Sequence, residues 1–314
     1  MTTSRSETRD GKRKAKEMAC GVRVRSFHFF CLALIGGLVF LMTPASGHPP
    51  NGRSWWANRL GYASSEVFPI TVGAFGFPYL SVGINGRSID LVLDTGNMRR
   101  LGLTRPSLSK LRLPPIAQSR GYDERGALVG EDQVFRVVAL TAFGRSWHDQ
   151  KAFEIGEPEA GGLFGPYYLL DGRFTLDYGN GRLAVSRSLL PKDVPGDTLN
   201  LVPNEQFPGM PVVQGAVNGH KVLIQIDTGK SRTCVDPSLV RRLNLPTAHY
   251  GYALADVRIG SWSFKVPSAR KVDFSGISRA YPSPILVSVG SDVLPQVIMT
   301  VDYRGGKLNI IPAH

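Results

Sequence analysis

Two short runs carry the chemistry this sequence can offer: Asp94-Thr95-Gly96 and Asp227-Thr228-Gly229. One Asp-Thr-Gly carries little weight, because an Asp that caps backbone amides and a flexible Gly suit any strand-end turn. Two copies, each closing a strand of alternating apolar residues, are a stronger signal. Amide hydrolysis by water needs a base to activate the water and an acid to protonate the amide. Two carboxylates at hydrogen-bond distance cannot both ionise comfortably, so they share one proton and supply both roles. Asp94 and Asp227 are therefore the candidate catalytic pair, one from each run. Thr95 and Thr228 would fix the loops through their hydroxyls, while Gly96 and Gly229 would let the backbone approach closely. Other chemistries find less support. The six His show no metal-ligand spacing, and no Ser nucleophile elbow is present. Cys20 and Cys31 lie near the N-terminus, leaving Cys234 without a disulfide partner, and it reads as a small buried apolar residue. No metal and no cofactor is expected.

The elements that must position the pair come from an internal repeat. Asn85 to Gly96 and Asn218 to Gly229 align at a constant offset of 133 residues. Each copy predicts an Asn-Gly hairpin turn, then a strand with one apolar face, then the Asp-Thr-Gly loop. Those faces are Ile89, Leu91, Leu93 and Val222, Ile224, Ile226. Each copy continues into a short helix beginning at a proline, at Pro106 and Pro237. Each then reaches an apolar-Gly element, at Phe164-Gly165 and Val289-Gly290, and 12 residues beyond that Gly an Asp-Tyr turn, at Asp177 and Asp302. The Asp-Tyr pairs suit turn and core positions rather than chemistry. From Asp94 to Gly144 is 50 residues, whereas Asp227 to Gly260 is 33. The surplus lies around Ser119–Asp132 and predicts an extra hairpin in the first copy only.

These motifs resemble the pepsin and retroviral-protease families of aspartic peptidases, over a stretch from about Pro78 to Ile311. The copies are closer in size to two fused retropepsin-like units, as in bacterial-type exported aspartyl proteases, than to full pepsin lobes. The resemblance implies a mainly β, two-lobed acid-protease fold, each lobe a small closed antiparallel β-barrel with a short helix. It implies that Asp94 and Asp227 are catalytic and that Thr95 and Thr228 bond across the lobe interface. Phe164-Gly165 and Val289-Gly290 would pack beneath the two loops. The hairpin holding Tyr122, Gly126 and Gly130 would be a substrate-covering flap, present in the first lobe alone. Position four of the motif departs from the families' usual small residue: it is Asn97 in one copy and Lys230 in the other. Asn still offers a donor to a carboxylate. A lysine aimed at the pair would favour ionisation of both carboxylates and weaken catalysis, whereas one aimed at solvent would change nothing.

The composition is globular, 42% hydrophobic and 20% charged, and 35 Gly with 22 Pro suit many turns and short strands. Of the net charge of +12, much sits at one end: residues 1–26 hold eight Lys/Arg against Glu7, Asp10 and Glu17, a net +5, and the remaining +7 is scattered. No basic helix or aromatic-rich basic strand follows, so nucleic acid is not the expected partner. A basic segment, an apolar run from Phe27 to Met42 and the small-residue exit Thr43–Gly47 form a secretory signal, with an inner-membrane anchor at residues 27–42 as the alternative. The domain reading is a signal peptide or anchor at 1–47, a linker or docking strand at 48–65 and a first lobe at 66–190. An inter-lobe linker at 191–200 and a second lobe at 201–314 complete it. The expected protein is a monomeric, exported aspartic endopeptidase, periplasmic or secreted, that acts on polypeptide. The alternative is a catalytically silent relative that holds peptides without cutting them.

Overall fold

Asn-Gly turns start both copies of the repeat. Asn85 and Asn218 take φ of 49° and 47°, and the following Gly86 and Gly219 take 77° and 78°. Two consecutive left-handed residues make the hairpin turn whose twist matches its strands, and Asn-Gly is the dipeptide that adopts it most easily. The turns join strand Pro78–Ile84 to Arg87–Leu93 and strand Val212–Val217 to His220–Ile226. The expected faces are buried: Ile89, Leu91 and Leu93 in one strand and Val222, Ile224 and Ile226 in the other. A computed structural model describes residues 54–156 and 160–313. The expected signal or anchor, residues 27–42 included, and the start of the linker lie outside these residues. Among those described, no helix is long and apolar enough to cross a membrane.

The chain is mainly β. In the first copy six strands close into a ring, in the order Pro78–Ile84, Arg87–Leu93, Gly162–Phe164, Leu101–Thr104, Arg145–Ile155 and Leu128–Ala142, which pairs back to the first. The second copy closes the same ring from Val212–Val217, His220–Ile226, Ile285–Val289, Cys234–Val235, Trp262–Lys271 and Gly251–Ile259. The expectation of antiparallel barrels needs correction, because each ring contains two parallel pairings. Arg87–Leu93 runs parallel to Gly162–Phe164, and Leu101–Thr104 parallel to Arg145–Ile155. The second ring repeats both. Parallel neighbours need a crossover connection. The helices Arg105–Leu111 and Pro237–Leu243 follow the strands that need one. Alternating side chains in a sequence report which face is buried, not which way the neighbouring strand runs.

A six-stranded sheet built from both copies joins the rings. Its order is Val67–Pro69, Arg182–Ser186, Arg173–Asp177, Val297–Asp302, Lys307–Pro312 and Asp197–Asn200. The two copies meet at Arg173–Asp177 against Val297–Asp302, with Thr175 opposite Thr300 and their hydroxyls 2.6 Å apart. Residues 191–200, read as a linker, contribute its last strand. Residues 54–65 dock on this sheet: Trp55–Arg59 is helical, and Trp56 is fully buried with its indole N–H donating to Asp177 at 2.6 Å. An apolar cluster of Trp56, Leu60, Tyr62, Ala184, Ile298 and Ile311 makes this segment part of the core rather than a tether.

Candidate active site

The sheet and rings bring the two Asp-Thr-Gly loops face to face. Thr95 N–H donates to Thr228 Oγ1 at 3.0 Å, and Thr228 N–H donates to Thr95 Oγ1 at 3.1 Å. Each hydroxyl then donates onward to the strand leading into the other loop, Thr95 to Ile226 O at 2.8 Å and Thr228 to Leu93 O at 2.5 Å. Both threonines are fully buried, so this reciprocal lock sits where water cannot compete for its bonds. Beneath the loops, Phe164 O accepts from Asp94 N–H and Val289 O from Asp227 N–H, each at 3.0 Å. Gly165 and Gly290 press against the backbone of Asn97–Arg99 and Lys230–Arg232, leaving no space for a side chain.

The lock sets the carboxylates side by side. Asp94 Oδ1 accepts from Gly96 N–H at 2.9 Å, and Asp227 Oδ1 from Gly229 N–H at 3.1 Å. A Cβ added at Gly96 would overlap the Asp227 carboxylate, and one at Gly229 would overlap that of Asp94. Each glycine is thus required by the carboxylate of the opposite loop. Burial first, then the neighbouring charge of Asp227, pushes the pKa of Asp94 well above the usual carboxylate range. The Gly96 amide and Lys230 pull it down, and a hydrogen bond between the two carboxyl groups adds to the rise.

The loops part company at position four. Lys230 Nζ lies 3.2 Å from Asp227 Oδ2 and 3.0 Å from Glu124 Oε1. Burial works against its charge, but Asp227 and Glu124 outweigh burial and hold the ammonium protonated beyond the ordinary lysine range. Lysine therefore does aim at the pair, and it also has an acidic partner. Asn97 does not bond a carboxylate: its Oδ1 accepts from Arg99 N–H at 2.9 Å, and its buried Nδ2 has no partner among the described residues. Asp227 gains one further donor, Gln225 Nε2, at 3.3 Å.

The surplus in the first copy is a long hairpin, Pro115–Tyr122 paired with Leu128–Ala142. Its counterpart, Thr247–Ala248 with Gly251–Ile259, has only two paired positions. The tip lies on the second copy: Ile277 N–H donates to Glu124 O at 3.1 Å, and a Cβ at Gly276 would overlap Gly126 N. Under it is a cavity of about 690 Å³ lined by Gly96, Asp227 and Lys230 from the loops and by Tyr122, Glu124 and Gly126 from the hairpin. Gly130 pairs with Gly121 farther along the hairpin and does not line the cavity. Two residues of the site, Glu124 and Gln225, belong to no motif of the sequence. Gln225 lies on the face opposite Val222, Ile224 and Ile226, where alternation predicts an exposed polar residue, so its burial beside Asp227 left no signal in the sequence.

No family model and no curated protein matches the chain.

Proposed function

We propose that this protein is an aspartic endopeptidase with the two-lobed acid-protease fold, and that Asp94 and Asp227 hydrolyse a peptide bond by activating water between them. The observation that carries the reading is the reciprocal Thr95–Thr228 lock, which sets the buried Asp94 carboxyl beside that of Asp227, the member of the pair that lines the covered cleft. The asymmetry at position four supports a division of labour. Asp94, with its raised pKa, carries the shared proton, and Asp227, facing the Lys230 ammonium and the Gln225 amide, is the carboxylate.

Water lying between the pair gives a proton to Asp227 as its oxygen attacks the peptide carbonyl carbon. Asp94 gives its proton to the carbonyl oxygen, forming a neutral gem-diol. Collapse returns a diol proton to Asp94 while Asp227 protonates the departing amide nitrogen, so the pair ends as it began. An extended peptide would lie across the cleft and bond the hairpin through its backbone, as an added strand does. One chain supplies both carboxylates, so a monomer suffices. The N-terminal segment supports an exported enzyme, periplasmic or secreted.

One observation favours a second reading. An ammonium 3.2 Å from Asp227 also suits a protein that holds peptides without cutting them. Incubating the full chain with a mixed peptide library over a range of pH separates the two. As an endopeptidase it cuts, a statine-type analogue inhibits it, and Asp94→Asn and Asp227→Asn each lower turnover by a factor on the order of 10²–10⁴. Peptide retained but never cut, by the parent or by Lys230→Ala, decides for the binding protein.

A further inference from the structure

The Lys230–Glu124 pair stands between two cavities. One, of about 690 Å³, contains the Asp227 side of the cleft; the other, of about 540 Å³, lies towards Cys234 and Pro237. Asp123, Glu124 and Lys230 line both, so the pair forms their common wall. The charges on these walls are unevenly satisfied. Every acid is engaged: Asp123 with Arg125, Glu124 and Asp227 with Lys230, and Asp273 with the Ser275 amide. Five cations have no carboxylate partner among the described residues, Arg120 and Arg279 in the larger cavity and Arg232, Arg270 and Lys271 in the smaller, where Arg232 lies over the ring of Tyr250.

The hairpin tip is held by the Glu124–Lys230 ion pair and by the contact of Glu124 and Gly126 with Gly276 and Ile277. An extended peptide can reach the pair of aspartates only when this tip lifts. Lifting strips Glu124 from an ammonium whose side chain is only 20% exposed, leaving Asp227 as its one anionic neighbour. A carboxylate arriving on the peptide would restore what was lost, and the unpaired arginines and lysine on either side would receive further ones.

Resting on the peptidase reading above, we propose that the cleft selects acidic polypeptide segments, with a Glu or Asp side chain of the substrate taking the place on Lys230 that Glu124 holds in the closed protein. Glu124 is then an internal stand-in for the substrate, and the hairpin opens most readily for peptides that replace it.

The test uses the full chain and peptide pairs identical except for Glu against Gln beside the scissile bond, at a pH where glutamate is ionised. The Glu peptide is expected to have a kcat/KM about tenfold higher or more, an advantage that shrinks with added salt. Lys230→Met should bring the ratio close to one, and Glu124→Gln should lower KM for the Glu peptide more than for the Gln peptide. Because Lys230→Met leaves two carboxylates uncompensated, the double variant Arg120→Ala/Arg279→Ala serves as a second probe and should reduce the ratio with Lys230 intact. Equal kcat/KM for the two peptides in the parent overturns the proposal, as does a ratio that survives both variants. A single-stranded oligonucleotide that competes as well as the Glu peptide also overturns it, since the cleft would then read charge alone. Should neither peptide be cut, fluorescence anisotropy of the same pair decides: Glu-selective binding retains the proposal and removes only the peptidase reading, whereas equal or absent binding removes the proposal too.

Discussion

The two Asp-Thr-Gly loops are alike where they touch one another and unlike where they touch the rest of the cleft. The threonines make the same two hydrogen bonds in each direction, and each glycine makes room for the opposite carboxylate. Past the glycine, Asn97 turns back on its own loop while Lys230 reaches Asp227 and the hairpin. Gln225, on the strand before Asp227, aligns with Val92 in the first copy. Duplication thus supplies a symmetric lock, and two side chains on one side break the symmetry of the chemistry it holds. A pair of carboxylates in identical surroundings could hold the proton on either member. Here the cation and the amide favour the charge on Asp227, and so the proton on Asp94.

Removing the cation is the strongest way to break this difference. Lys230→Ala takes away a charge that lowers the pKa of Asp94 and lies against Asp227. The alkaline limb of the pH–rate profile on a single peptide is expected to move upward by roughly one pH unit or more, widening activity on the alkaline side. An unmoved profile would mean that the two loops are electrostatically equivalent despite their sequences.

The lock sharpens the comparison from the other side, because symmetry there predicts equal costs. Thr95→Val and Thr228→Val each remove a hydroxyl that donates to one buried carbonyl and accepts from one buried amide. Each should lower unfolding free energy by about 1–3 kcal/mol, read from denaturant midpoints at unchanged slope. A gap of more than about 1 kcal/mol between the two would show that the lock is itself lopsided.

Much of this was legible in the chain. The Asn-Gly turns, alternating strands and Pro-headed helices are local signals, and the constant offset multiplied their weight. Pairing direction was not legible, because it depends on strands far apart in sequence, such as Leu101–Thr104 beside Arg145–Ile155. Nor was the docking of Trp56 on Asp177, a contact across 121 positions. Lys230 could be singled out as foreign to the motif, but its direction could not be read. That depends on Glu124, which reaches it only because the longer hairpin folds over onto the second copy.

The smallest effect separates the aspartates by stability rather than by rate. The folded pKa of Asp94 lies above its unfolded value, so between the two the native state binds more protons than the unfolded chain. Its contribution to stability is fully present below the unfolded value and is lost as pH rises through the folded one. Asp94→Asn cannot titrate, and its Oδ1 can still accept from Gly96 N–H. The variant should match the parent in acid and become progressively more stable than it as pH rises, levelling off once Asp94 of the parent is ionised. Asp227→Asn should behave in the opposite way. It deprives the half-buried Lys230 of one carboxylate and faces it with an amide donor, so it should unfold at lower temperature than the parent at neutral pH. Thermal unfolding of the three proteins from acid to mildly alkaline pH checks both signs. Parallel curves for the two variants would mean that Lys230 does not distinguish the aspartates, and the assignment of the proton to Asp94 would fall with it.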